Sequence, residues 1–214
     1  SLKYKSYWRK SGLKGKWGDI YLNILGKHKP INILEIGVFC GVTARNTCDF
    51  LNKINRGKFN YTGIDLFGGD KVKSIDEIEP SFLLRQKFSN PLKNIYYNFI
   101  LKENLNSITS VQKLLRKYNN SVKLIAGDTN SILKTIDLKN LDFVFLDGGH
   151  SYQTVYSDLS NLYEQMKDKQ KVILCDDYGK ESYIPDVEKA INDFTNRYNL
   201  KLNLIENRFA EIIT

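Results

Sequence analysis

Ile31–Asn32–Ile33–Leu34–Glu35–Ile36–Gly37–Val38–Phe39–Cys40–Gly41 is the stretch on which the fold turns. It opens as an apolar, mostly β-branched run, the composition of a strand buried on both faces of a parallel sheet. Gly37 and Gly41 follow, and then an amphipathic segment, Val42 to Ile54, that reads as a helix. The order is strand, glycine turn, helix. Glycines serve there because the backbone must turn tightly and admit a ligand with no Cβ in the way. The spacing is Glu35-x-Gly37-x-x-x-Gly41, not the G-x-G-x-x-G of a nicotinamide loop. An acid two residues before the first glycine would repel a pyrophosphate. It can accept a hydrogen bond from an ammonium or hydroxyl group and suits a cationic ligand.

The rest of the chain repeats the rhythm. Phe59 to Asp65 reads as a second strand ending in an acid, one βαβ step after Glu35. An acid there is placed to take the two hydroxyls of a ribose, or to cap the following loop. Val122 to Ala126 is a third strand, followed by Gly127, Asp128 and Thr129. Asp128 either reads an adenine or caps the helix Ser131–Ile136. Leu141 to Asp147 is a fourth strand, and Gly148–Gly149–His150–Ser151 turns it into a helix from Tyr152 to Met166. Lys171 to Cys175 is a fifth, ending in Asp176–Asp177. A helix from Val187 to Tyr198 precedes two closing strands, Lys201–Glu206 and Arg208–Thr214, a hairpin that suits an antiparallel edge. The expectation is one α/β domain over residues 1–214, a three-layer Rossmann-like sandwich. Its seven-stranded sheet is mostly parallel, with an antiparallel C-terminal strand.

Two segments break the rhythm. Residues 1–30 are basic and aromatic (Tyr4, Tyr7, Trp8, Trp17, Tyr21), with a short helix expected over Trp17–Leu25, and read as a cap. Residues 67–107 are too long for a connection and read as a helical lid-like insert. Within it, Phe67 to Asp70 reads as loop, while Ser81 to Phe88 and Asn98 to Leu105 look helical. Ile108 to Tyr118 has helical spacing and leads into the third strand.

Composition sets the outer limits. Among 214 residues, 42% are hydrophobic and 26% charged, as in an ordinary globular protein. No apolar run approaches the roughly 20 residues of a membrane span, and the Lys- and Tyr-rich start does not read as an apolar leader. Three cysteines, an odd number, argue for a reducing, cytoplasmic setting. The formal charge of +8 allows an anionic partner such as nucleic acid. The cations are scattered, however, and neither an Asn/Asp-Pro-Pro-Tyr nor a Lys/Asp/Lys/Glu methylation set is found.

In an open parallel sheet, ligands bind outside the carboxyl ends of the strands. Asp65, Asp128, Asp147, Asp176 and Asp177 all fall at such ends. Left unpaired they would repel one another, so a positive group is expected among them. Asp147, Asp176 and Asp177 on neighbouring strands suit a hard divalent cation, most simply Mg²⁺. Both members of the Asp176–Asp177 pair can reach it only if the strand has already ended, because adjacent strand residues face opposite ways. His150, on the turn after Asp147, is a candidate general base beside a metal-bound hydroxyl. His28 reads as structural.

The glycine stretch resembles motif I of the class I S-adenosylmethionine-dependent methyltransferases. Asp147–Gly148–Gly149–His150–Ser151–Tyr152, Asp158 and Asp176–Asp177 resemble the small O-methyltransferases that include macrocin O-methyltransferase-like and cephalosporin-hydroxylase-like proteins. The resemblance covers residues 31–195 apart from the insert. It implies that Glu35, Gly37, Val38, Gly41, Thr43, Asp65, Leu66, Gly127, Asp128, Thr129 and Asp147 line S-adenosylmethionine. It also implies that Asp147, Asp176 and Asp177 carry Mg²⁺, and that His150 or Asp147 deprotonates a small hydroxylated substrate, a sugar or natural-product scaffold. The rival functions are an RNA methyltransferase and a non-catalytic S-adenosylmethionine-binding protein. A homo-oligomer is compatible with all three.

Overall fold

The computed structural model describes residues 2–68, 86–167 and 170–214. Chain order is α1 (Lys16–His28), β1 (Asn32–Ile36), α2 (Val42–Ile54), β2 (Asn60–Asp65), α3 (Pro91–Asn94), α4 (Ile108–Leu115), β3 (Val122–Ala126), α5 (Thr129–Ile132), β4 (Phe143–Leu146), α6 (Tyr152–Met166), β5 (Val172–Cys175), α7 (Pro185–Tyr198), β6 (Lys201–Ile205) and β7 (Phe209–Ile213). The seven strands form one sheet in the order β3-β2-β1-β4-β5-β7-β6.

Strand periodicity builds the two faces. Ile33, Phe143, Phe145 and Leu174 pack with Leu22 and Leu25 of α1, Cys48 and Leu51 of α2, and Val111 of α4. Their neighbours Leu34, Ile36, Val144 and Ile173 face the other way, onto Leu159 and Leu162 of α6 and Ile191 and Phe194 of α7. Leu159 and Leu162 are wholly buried, and each contributes about 2 kcal/mol. The result is the expected three-layer, Rossmann-like sandwich. The Ser107 and Ser151 hydroxyls cap α4 and α6, accepting from the amides of Ser110 and Thr154.

The tail supplies the expected antiparallel C-terminal strand, though inside the sheet and not at its edge. β7 runs antiparallel to both β5 and β6, so β6 takes the edge and β7 is inserted beside β5. The residues explain the order. β7 is buried from Phe209 to Glu211 and beyond, whereas β6 has an exposed Lys201 and Leu204 and only half-buried positions between. A two-sided apolar strand belongs inside a sheet and a mixed one at its rim.

In the insert, the expected loop at Phe67–Asp70 and helix at Ser81–Phe88 lie largely outside the described residues. The helix expected at Asn98–Leu105 instead starts earlier, as α3 continuing into a π-helical turn over Ile95–Ile100. Asn90 caps it through a bond from the Leu92 amide, and Pro91 sits in the first turn. Lys102, with φ near +49°, lies just beyond its end. The short helix expected at Ser131–Ile136 likewise begins sooner, at Thr129. No helix among the described residues is long and apolar enough to cross a membrane.

Candidate functional site

The sheet reverses direction of winding between β1 and β4. From β1 the chain goes outward to β2 and β3; from β4 it goes outward to β5. A crevice opens at the carboxyl ends where two such halves diverge. Gly37 follows β1 and Asp147 follows β4, and the Asp147 amide donates to the Ile36 carbonyl at 2.9 Å. Gly37 has φ near +91°, and a Cβ there would lie 2.0 Å from the Asp147 carbonyl oxygen. Only glycine fits, since the obstacle is backbone. The glycine turn is thus held against the acid of the fourth strand.

Asp65 ties the turn to β2. Its carboxylate accepts from the amides of Phe39 and Phe67, each at 2.8 Å. Burial pushes its carboxyl above the usual range, and the amide bonds work against that push. Gly127 donates to the Asp65 carbonyl at 3.0 Å, which brings the third strand end alongside. Asp128 occupies the N-cap position of α5 without a side-chain bond to that helix's backbone, though the Ser131 hydroxyl reaches its carboxylate at 3.3 Å.

The fourth and fifth strand ends meet in a small cleft lined by Leu146, Asp147, His150, Cys175, Asp176 and Asp177. β5 stops at Cys175, and Asp177 adopts a left-handed conformation with φ near +60°. The two adjacent aspartates therefore diverge. Asp177 turns toward His150 Nε2, 3.3 Å away, and accepts from the Ser182 hydroxyl. Asp176 turns to Arg208 on the hairpin and is gripped through both oxygens, at 2.6 Å from Nε and 2.6 Å from a terminal nitrogen. Asp147, His150 and Asp177 can each offer one donor atom, with all three atoms within 4.8 Å of one another. That set fits a divalent cation.

Electrostatics separate the three acids. Burial, reinforced by Asp176 and Asp177, pushes the Asp147 carboxyl well above the usual range. Burial also raises Asp176, with Arg208 opposing it. Burial acts on Asp177 too, but the His150 and Ser182 bonds outweigh it and hold that carboxyl low. The trio thus contains a strong carboxylate and a basic one a few ångströms apart.

The predicted residues divide accordingly. Gly37, Gly41, Asp65, Gly127 and Asp147 gather around the crevice. Val38 is in the core. The Thr43 hydroxyl is bonded to Tyr4 at 2.7 Å. Glu35 is 1% exposed, and its carboxyl accepts from the Tyr61 hydroxyl at 2.6 Å inside the first layer. Leu66 and Thr129 follow β2 and open α5.

Sequence reasoning missed four contributors. Arg208 lies 32 residues beyond its partner and falls outside any motif. Arg9 clips the N-terminal segment over the turn by donating to the carbonyls of Cys40, Leu105 and Ser110. Gly12 comes close to the fourth strand's acid, where a Cβ would sit 3.9 Å from Asp147 Oδ2. The aromatic, basic start was the only signal for these two. The fourth is Asn106, whose side-chain oxygen and nitrogen are buried with no hydrogen-bond partner among the described residues, beside Gly68. A buried unpaired amide costs about 1–3 kcal/mol. Asn106→Leu, of similar shape, is therefore expected to raise the thermal midpoint of the ligand-free protein. A lowered midpoint would show that the amide does structural work.

A family model described as a methyltransferase domain matches residues 34–178. No curated protein matches the sequence. Among solved structures, the chain is similar to the O-methyltransferase NovP, with 17% identity and a TM-score of 0.61 over 92% of this chain and 76% of that one. An O-methyltransferase from Bacillus cereus in complex with SAH gives 12% and 0.57 over 94% and 82%. The O-methyltransferase TomG from Streptomyces achromogenes, in complex with SAM, gives 13% and 0.54 over 94% and 79%. At these identities the likeness is one of fold.

Proposed function

Because the chain belongs to the methyltransferase-domain family, we propose that it transfers the methyl group of S-adenosylmethionine to a hydroxyl oxygen of a small molecule, a sugar or natural-product scaffold. The observation that carries this reading is the placement of the Asp147–His150–Asp177 cluster against the glycine turn at the sheet's switch point. A cofactor seated on the turn would face a hydroxyl seated in the cluster.

S-adenosylmethionine supplies an electrophilic methyl group on a sulfonium, and a divalent cation, Mg²⁺ on the simplest reading, would lower the pKa of a bound hydroxyl. The chain's own residues do the rest. Gly37 and Gly41 let the turn on which the cofactor would sit pack against Asp147 and Val111, and Asp65 lies at the strand end suited to its ribose. Asp128 and Thr129 flank the adenine side. Asp177 and His150, held together at 3.3 Å, orient the substrate oxygen and any cation beside it. Asp147 or His150, beside the substrate oxygen, takes the hydroxyl proton. The N-terminal segment, clipped by Arg9 and crossing at Gly12, keeps water out and favours a small substrate over a polymer. Catalysis is then mostly positioning and electrostatics.

Calorimetric titration tests the cofactor. S-adenosylmethionine is expected to bind with micromolar affinity, and NAD not at all. Failure of S-adenosylmethionine to bind, with and without divalent ions, would sink the reading. A methyl-transfer screen over sugars and polyols, with RNA as control, then tests the substrate class.

A further inference from the structure

We propose that Arg208 is a built-in counter-ion that withdraws Asp176 from the cation site and leaves a mixed oxygen–nitrogen donor set, Asp147, Asp177 and His150, which selects Mn²⁺ over Mg²⁺. The inference rests on the reading above only in requiring a divalent cation at this cleft.

Three observations carry it. The first is the grip on Asp176. The guanidinium meets both carboxylate oxygens at 2.6 Å, and the two side chains are 8% and 3% exposed. A fork-on-fork pair occupies the faces of the carboxylate with the best geometry. A dication sharing those oxygens would lie against a fixed positive charge in a site poor in water.

The second is that the grip is anchored at both ends. The Arg208 carbonyl accepts from the amides of Tyr178 and Gly179 at 3.1 and 2.9 Å, and the Asn207 carbonyl accepts from Glu181 at 3.0 Å. A Cβ on Gly179 would sit 2.0 Å from the Asn207 oxygen, so the hairpin turn and the loop after β5 are in backbone contact. The guanidinium also lies over the rings of Trp17 and Phe209, 5.3 and 5.5 Å from their centres. Arg208 is therefore fixed in place and not a surface cation that happens to reach inward.

The third is the donor chemistry of what remains. Asp177 is turned away from Asp176 by its left-handed backbone, and its partner at the mouth is an imidazole. Mg²⁺ prefers oxygen ligands and gives up water reluctantly, whereas imidazole favours the transition ions. Two carboxylates with one histidine suit Mn²⁺ better than Mg²⁺. The positive charge that the clustered acids call for is thus supplied partly by the fold itself, from a hairpin turn outside the matched family region.

Purified full chain, stripped with chelator, is titrated with Mn²⁺ and with Mg²⁺. Binding is read by calorimetry and, for Mn²⁺, by loss of the free-ion electron paramagnetic resonance signal. The wild type is expected to bind Mn²⁺ at least ten-fold more tightly than Mg²⁺. His150→Ala, at a half-exposed position that the fold tolerates, should cost ten-fold or more in Mn²⁺ affinity and leave Mg²⁺ nearly unchanged. Arg208→Met frees Asp176 and should raise Mg²⁺ affinity at least ten-fold; Arg208→Lys, which keeps the charge, should not. Equal affinities in the wild type, or an indifferent His150→Ala, would overturn the inference. So would the binding of neither ion, and if S-adenosylmethionine still bound, the cofactor reading would stand without it.

Discussion

Replacing Asp147 with Asn is expected to lower methyl transfer about 1000-fold, within the range for loss of a general base, and to make the ligand-free protein more stable at pH 8. The two effects share one cause. Asp147 sits among Asp176, Asp177 and Glu35 in a half-buried position, and desolvation followed by those charges pushes its carboxyl well above the usual range. At the site this carboxylate serves as proton acceptor or cation ligand, and Asn serves as neither. The same shift works against folding. In the unfolded chain this carboxyl ionises near pH 4. Above that pH the folded state is the one that holds the proton, so rising pH favours unfolding until the folded carboxyl ionises too. Stability from this group is fully present below about pH 4 and lost as pH rises through the raised folded value. Asn cannot ionise and escapes the loss, so the variant and the wild type should converge near pH 4 and separate at pH 8. Thermal midpoints in chelator at both pH values, with turnover on the same preparations, check the pair of effects. Retained turnover would remove Asp147 from the chemistry. Lost turnover with lower stability at pH 8 would mark it as structural. S-adenosylmethionine affinity should change less than ten-fold.

The strand-end acids were legible because a parallel sheet makes its carboxyl edge a binding edge, and a glycine turn beside an acid marks where. Strand β3 was found to the residue and α6 to both ends, since apolar periodicity and a serine cap fix them locally. Side-chain direction was not legible where it depends on distant partners. Asp176 and Asp177 look equivalent in the sequence. They part because β5 ends one residue earlier and because an arginine from the turn between β6 and β7 claims one of them. Arg9 and Gly12 were hidden for the same reason: their roles come from where the N-terminal segment crosses, and no local pattern encodes a crossing. The edge position of β6 was open to inference from its mixed polarity, which the hairpin reading alone did not use.

Glu35 is the clearest case of a motif residue whose surroundings change its meaning, and Glu35→Gln is expected to flatten the pH dependence of stability. As an acid before a glycine turn it reads as a ligand for the cofactor. In the fold it alternates with Leu34 and Ile36, and so enters the opposite layer beneath Tyr61. Burial pushes its carboxyl from 4.5 up to about 8, against the Tyr61 bond and with help from Asp65. Between those two values the unfolded chain has released a proton that the folded state still holds. The wild type should therefore lose about 1.4 kcal/mol of stability per pH unit across that window, on the order of 5 kcal/mol in all from this group. Against a typical total of about 5–15 kcal/mol, that is a large share. Gln keeps a carbonyl for the Tyr61 hydroxyl and cannot ionise, so its stability should fall less steeply than the wild type's from about pH 5 to 8, retaining only the slope that other groups such as Asp147 impose. Leu should run parallel to Gln but lower throughout by about 1–3 kcal/mol, because it strands the hydroxyl. Urea unfolding of all three proteins at pH 5, 6.5, 8 and 9 separates these outcomes, and parallel curves for wild type and Gln would show that Glu35 ionises in the folded core without penalty. S-adenosylmethionine affinity decides the remaining question. A carboxylate that touches the cofactor would lose ten-fold or more as Gln, whereas one committed to Tyr61 should leave the affinity within about three-fold, a binding difference below 1 kcal/mol.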